Sequence, residues 1–177
     1  MRKILTFIAA LAVTAAAWAQ TFEGQFTQTK TIKASGRTIV SKGNFSYTAP
    51  DQLSMLYTSP DGDYMIIDGP FIRSDINGTA ADVDTSKNAQ MRNQRNTLLN
   101  CISGDVETVA KDNDADLVIK PRQGGAKSVT ITARRQAARG YSRIVLDYRA
   151  DGVLTSMTLE EFGGVSTEMK FSNIKKH

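Results

Sequence analysis

The chain's one histidine, His177, is its last residue, and its one cysteine is Cys101. A general base on a frayed terminus cannot hold the geometry that nucleophilic catalysis needs, so neither a serine nor a cysteine triad can be built on it. One His and one Cys also cannot supply the ligand set of a transition metal. Asp112, Asp114 and Asp116 alternate in DNDAD and could converge on calcium. The loop lacks the turn glycine and distal bidentate glutamate of such a site, and reads better as a solvated acidic turn. Glu160 and Glu161 are adjacent, so on a strand they face opposite ways and form no carboxylate pair by themselves. Acids brought together from separate strands keep an enzyme as the lowest-ranked reading. Gly124–Gly125 precedes no helix that would present amides to a phosphate. Asn77-Gly78-Thr79 matches a glycosylation sequon but marks a turn. Arg134, Arg135 and Arg139 could meet phosphate or a partner, though solvation is the plainer reading. No motif calls for a metal or any other cofactor, and the chain is not expected to be an enzyme.

The elements that would position a site are mostly strands. Ile144, Leu146 and Tyr148 alternate with polar residues, as do Val129 and Ile131, and Val165, Thr167, Met169 and Phe171. Period two with one wet face argues antiparallel strands. Turn residues separate them at Pro60-Asp61-Gly62-Asp63, Asp151-Gly152 and Gly163-Gly164. About eleven strands are expected, near 22–33, 39–48, 52–58, 63–68, 70–76, 105–110, 115–121, 127–134, 141–149, 153–161 and 165–174. A meander of this size curls toward a barrel. The exception is KNAQMRNQRNTLLNCIS. There Met91, Arg95, Leu98 and Ile102 share a helical face, with Thr85-Ser86 as the N-cap and Gly104 as the C-cap. Its first half is polar, so docking energy must come from the Leu98-Leu99-Cys101-Ile102 end. As the only long helix expected, it should cover the concave side of the curled sheet.

The N-terminus reads as an export signal. Arg2 and Lys3 precede the apolar run ILTFIAALAVTAAA, and Ala17-Trp18-Ala19 is a small-residue cleavage site. Residues 1–19 are therefore expected to be removed, leaving a single domain over 20–177. Without Arg2 and Lys3 the formal charge of +4 falls to +2, which removes the main support for a nucleic-acid partner. No later segment is apolar enough to span a membrane, and no cysteine sits at the expected cleavage point to be lipidated. Cys101 is expected to be buried as a small hydrophobe.

What remains is apolar. Met55, Met65, Met157 and Met169 lie in expected strands, although methionine is a poor strand former, and Met91 lies on the helix. The methionines either fill a core or form an adaptable wall for an apolar ligand. The segment APDQLSMLYTSP, residues 49–60, holds that question, with Leu53, Met55 and Tyr57 on one face.

Four pieces in order and spacing resemble the LolA family of lipoprotein carriers. They are Phe26-Thr27-Gln28, then Gly43-Asn44-Phe45-Ser46-Tyr47, then Pro50 through Tyr57-Thr58-Ser59-Pro60, and Ile66-Ile67-Asp68-Gly69. Together they span about a third of the chain; beyond residue 69 the agreement is one of layout. The resemblance implies a mainly β (α+β) fold, an unclosed antiparallel barrel of about eleven strands with a helical lid. It implies a non-catalytic, monomeric periplasmic carrier of lipoprotein acyl chains or another lipid. It also implies an inner-membrane donor complex and an outer-membrane acceptor. Two positions depart from the family: only Gln20-Thr21 precede Phe22, leaving no leading helix, and Ala49 stands where the family commonly has an arginine. A sensor or protein-interaction domain on the same fold is the second reading.

Under the carrier reading, inward strand residues line the cavity: Leu53, Met55, Tyr57, Met65, Ile67, Phe71, Met157, Leu159, Met169 and Phe171. Leu98, Leu99 and Ile102 close it from the helix.

Overall fold

The computed structural model of the chain describes residues 20–136 and 140–177. The expected export segment and Arg139 lie outside the described residues. Eleven strands form one antiparallel sheet: β1 (Thr21–Ile32), β2 (Arg37–Thr48), β3 (Gln52–Ser59), β4 (Asp61–Asp68), β5 (Phe71–Ile76), β6 (Thr79–Asp84), β7 (Ala115–Pro121), β8 (Lys127–Ala133), β9 (Tyr141–Tyr148), β10 (Leu154–Glu161) and β11 (Val165–Lys176). The spatial order runs β6-β5-β4-β3-β2-β1-β11-β10-β9-β8-β7, so β1 joins the two halves and β6 and β7 are unpaired edges. The sheet is not closed. Between those edges in sequence lie two helices, α1 (Ala89–Ser103) and α2 (Val106–Asp112). The chain must cross from one edge to the other there, and it crosses over the buried face.

The strand total agrees with expectation, but two elements do not. The segment expected as a strand at 105–110 is α2. Asp105 caps it, accepting from the Thr108 N–H at 3.2 Å, and Val106, Val109 and Ala110 are buried at helical spacing. Val106 and Val109, three apart, share one face of a helix but would face opposite ways on a strand. Strand β6 was not expected, because Ala80, Ala81, Asp82 and Asp84 are weak strand formers. It forms because Asn77 and Gly78 both take positive φ, 53° and 73°, the conformation of a tight hairpin turn. That turn pairs Ile76 with Thr79 and carries the ladder on to Phe71–Asp84.

Helix α1 begins later than expected. Thr85–Lys87 form a separate 3-10 turn, and Asn88 caps α1 by accepting from the Met91 N–H at 3.1 Å. Gly104 ends it as expected, with φ 87° and its N–H donating to Asn100 O at 2.9 Å.

The core lies on one face of the sheet and beneath both helices. Cross-strand rows build it: Phe45–Met55–Met65 is one row, and Tyr47–Leu53–Ile67–Ile72 is the next. A third row runs Phe171–Phe26–Gly43–Tyr57. Gly43 is fixed by close approach: a Cβ there would stand 2.1 Å from Leu56 O and 2.8 Å from the Phe26 ring. The space it leaves lets Phe26 and Tyr57 meet edge to face, with ring centres 5.1 Å apart.

Candidate functional site

Helix α1 behaves as two halves. Its C-terminal half is in the core: Leu99, Cys101 and Ile102 are buried, and the Tyr148 hydroxyl donates to Cys101 O at 2.6 Å. Thr97 is tied to α2, accepting from Asn113 Nδ2 at 3.0 Å. Its N-terminal half instead roofs a cavity. The roof consists of Met91, Gln94, Arg95 and Leu98. The floor and walls are Gln28 and Lys30 of β1, Tyr57 of β3, Met65 and Ile67 of β4, and Ile72 of β5. Tyr141 of β9, Leu159 and Glu161 of β10, and Thr167 and Met169 of β11 complete it. The volume is about 280 Å³. At the other end of the interior, Phe22, Phe45, Ile102, Val153, Leu154, Phe171 and Ile174 close on a crevice of only about 10 Å³. The interior is therefore hollow under α1 and packed at this other end.

The roof is held down at two polar points. Thr85 donates to Pro70 O through both its N–H, at 2.9 Å, and its hydroxyl, at 2.8 Å. The Arg95 guanidinium reaches from α1 to Gly69 O at 2.5 Å and to the Asn96 side chain at 2.8 Å. Ala49 is partly buried against the core and has no polar side-chain group to offer the helix.

Three weakly acidic groups of this interior, Tyr57, Tyr141 and Cys101, are held in their neutral form. Burial, the nearby Asp63 charge and, in the opposite sense, a hydrogen bond to Gln28 Oε1 at 3.2 Å leave the Tyr57 phenol above its usual range. Burial first, then Glu161, push Tyr141 up to about 12. Burial pushes the Cys101 thiol up to about 12 as well, so it is not a nucleophile at neutral pH. Such a wall can hold an apolar chain, with a few hydrogen-bonding groups at the rim. Asp114 and Asp116 of the acidic turn both accept from Arg134, at 3.4 and 2.7 Å, so the turn is an ion-paired surface. Among the described residues no group of three or more His, Cys, Asp and Glu could hold a metal ion. None of their helices is long and apolar enough to cross a membrane.

The expected wall residues divide three ways. Tyr57, Met65, Ile67, Leu98, Leu159 and Met169 line the cavity. Leu53, Met55, Leu99, Ile102, Met157 and Phe171 are buried in the packed core away from it, Met55 and Met157 almost completely. Phe71 is a correction: it is 39% exposed, on the outer face, with the Arg73 guanidinium 5.8 Å from its ring centre. The expectation of an inward Phe71 sets β5 one residue out of phase: Ile72, opposite the buried Ile67, is the inward residue. Because side chains alternate along a strand, a one-residue slip exchanges the faces. Gln28, Lys30, Gln94, Tyr141, Glu161 and Thr167 went unrecognised as wall because they are polar or at strand ends. Arg95 and Met91 were legible, being one and two turns before Leu98 on the same helical stripe.

A wider groove, about 370 Å³, lies on the outer face beside Gly24, among Glu23, Gln25, Asn44, Asn173 and Lys175. It is open to solvent and sets charged and amide groups beside Phe45 and Leu56, so it gives an apolar chain no enclosed wall.

Residues 17–177 match the family model described as outer membrane lipoprotein carrier protein LolA. Among curated protein sequences none matches the chain. Three solved structures are similar to it in outline. A DUF1329 family protein from Desulfovibrio piger has 12% identity over 89% of this chain and 85% of its own, with a TM-score of 0.45. A LolA superfamily protein from Nitrosomonas europaea has 10% identity over 88% and 85%, with a TM-score of 0.40. The lipoprotein LppX of Mycobacterium tuberculosis has 12% identity over 86% and 85%, with a TM-score of 0.38.

Proposed function

The chain belongs to the LolA family of outer membrane lipoprotein carriers, and from that premise we propose that it is a non-catalytic periplasmic carrier of acyl chains. The observation that carries this reading is the cavity beneath α1, apolar at Met65, Ile67, Ile72, Leu98, Leu159 and Met169. Residues 1–19 act as its export signal and residues 20–177 as the carrier domain. The work is physical. An acyl chain leaves water for the cavity and gains about 0.8 kcal/mol per methylene buried. The space is finite, about 280 Å³, so it buries a limited length of chain. A longer chain, or a second one, requires the polar half of α1 to lift while its Leu99–Ile102 half stays in the core. A membrane donor loads the cavity and a membrane acceptor empties it, as family membership supports.

Ala49 favours a second reading within the same mechanism, a carrier whose cargo is a lipid other than a lipoprotein. Lacking a side chain that can reach the helix, that position leaves the hold on α1 to Arg95.

Native mass spectrometry on protein purified from its own cells tests the proposal. A bound lipid or acylated protein is expected, and it should be lost from Met169→Arg, whose fold is checked by circular dichroism. Ligand-free protein throughout, or the same adduct on folded Met169→Arg, would contradict the carrier reading.

A further inference from the structure

The unpaired edge at β7 has a sequence that complements itself. Two backbone hydrogen bonds flank the β7–β8 ladder: Arg134 N–H to Asp114 O at 3.0 Å, and Arg122 N–H to Ala126 O at 2.8 Å. In an antiparallel ladder alternate residues bond to the neighbour, so Asp116, Val118 and Lys120 turn their backbone toward β8. Leu117 and Ile119 therefore present their N–H and C=O groups to the open side. Val118 and Ile119 are also exposed as side chains, at 48% and 43%. We propose that β7 pairs antiparallel with β7 of a second copy of this chain, about a two-fold axis at Val118.

That register follows from the residues. It sets Leu117 opposite Ile119 twice, the pairs whose free backbone groups can exchange hydrogen bonds. It sets Asp116 opposite Lys120 twice, opposite charges on one face. Asp116 is exposed and already accepts from Arg134 at 2.7 Å on one oxygen, and Lys120 makes no ion pair among the described residues. The ladder stops after five residues because the next pair is Ala115 with Pro121, which has no N–H to give, and Ala115 is buried. The other edge does not offer the same partner. Pairing β6 with itself about Val83 sets Asp82 against Asp84. Association is therefore a closed pair rather than an open-ended array. Five residues a side are a small interface, so the pair is weak and reversible. It replaces the expected monomer only at high concentration.

Sedimentation velocity over a concentration series at low salt, with amide exchange read at Leu117 and Ile119, tests this. The wild type should shift from monomer to dimer, and those two amides should gain protection in step. Lys120→Asp turns two favourable pairs into two like-charged ones and should weaken association about tenfold. Asp116→Lys should do the same, and an equimolar mixture of the two variants should associate again. Ile119→Pro, which removes an outward N–H on an edge strand, should stay monomeric. A wild type monomeric up to millimolar concentration would overturn the proposal. So would Lys120→Asp associating as strongly as wild type, or a series of species growing without limit. Protection of Leu117 and Ile119 only when an unrelated extended peptide is added would assign the edge to another partner and overturn it too.

Discussion

Gly43 and Cys101 show how much a single residue decides in this interior. Gly43 gives Phe26 and Tyr57 the room to meet, and its missing Cβ would collide with backbone as well as with a ring. Gly43→Ala should lower stability by roughly 1–3 kcal/mol, the usual cost of overpacking, measured as a shift in urea midpoint. An unchanged midpoint would mean that β3 moves away freely. Cys101 carries a pH prediction. Its thiol is pushed up to about 12 by burial, against an ordinary value of 9.0. Between those values the unfolded chain loses a proton that the folded chain keeps. Its contribution is thus fully present below about pH 9 and is lost as pH rises toward 12. At pH 10.5 it amounts to about 2 kcal/mol. Wild type should therefore lose more stability between pH 8 and pH 10.5 than Cys101→Ala does, and parallel losses would refute the assignment. The burial of Cys101 was legible from the sequence, since a lone cysteine on the apolar stripe of a helix has few other places to go. The position of Met55 was less so. Alternation gave the face it occupies, but no local signal separates a core methionine from a cavity one.

At the scale of elements, α1 is anchored at one end and latched at the other. Leu99, Cys101, Ile102 and the Tyr148 hydrogen bond hold its C-terminal half, while Arg95 to Gly69 O and the Asn88 cap hold the rest. Local opening starts where few apolar contacts resist it. Arg95→Ala should accelerate amide exchange severalfold across residues 91–97 and leave 99–103 unchanged. Uniform acceleration along the helix would mean that it opens as one unit. The asymmetry of α1 was readable in its polar first half. The identity of α2 was missed because the segment is short and valine favours strands, although Val106 and Val109 share a face only in a helix. Strand β6 was hidden by its alanines and aspartates, though the Asn77-Gly78 turn before it was visible.

The whole molecule follows from where the chain crosses its sheet. Strands β1 and β11 close the middle, so residues 85–114 must travel between edges β6 and β7 over the buried face. That path places α1 across the open side of the sheet and makes the space beneath it. Period two and a single amphipathic helix made this architecture legible. The division of the interior into a packed end and a hollow end was not, because it depends on which aromatic rings meet across strands: Phe45 with Phe171, at 4.9 Å between centres, fills one end. At the other, Phe26 and Tyr57 meet at the wall and leave the space under α1 open.

The central claim is that the hollow end takes an acyl chain, and chain length is its most direct probe. Affinity for a series of single-chain fatty acids, by isothermal titration below their aggregation limit, should rise about fourfold per added methylene. The rise should level off at the length where the chain outgrows the cavity. An affinity independent of chain length, or set by the charge of the head group alone, would contradict the account.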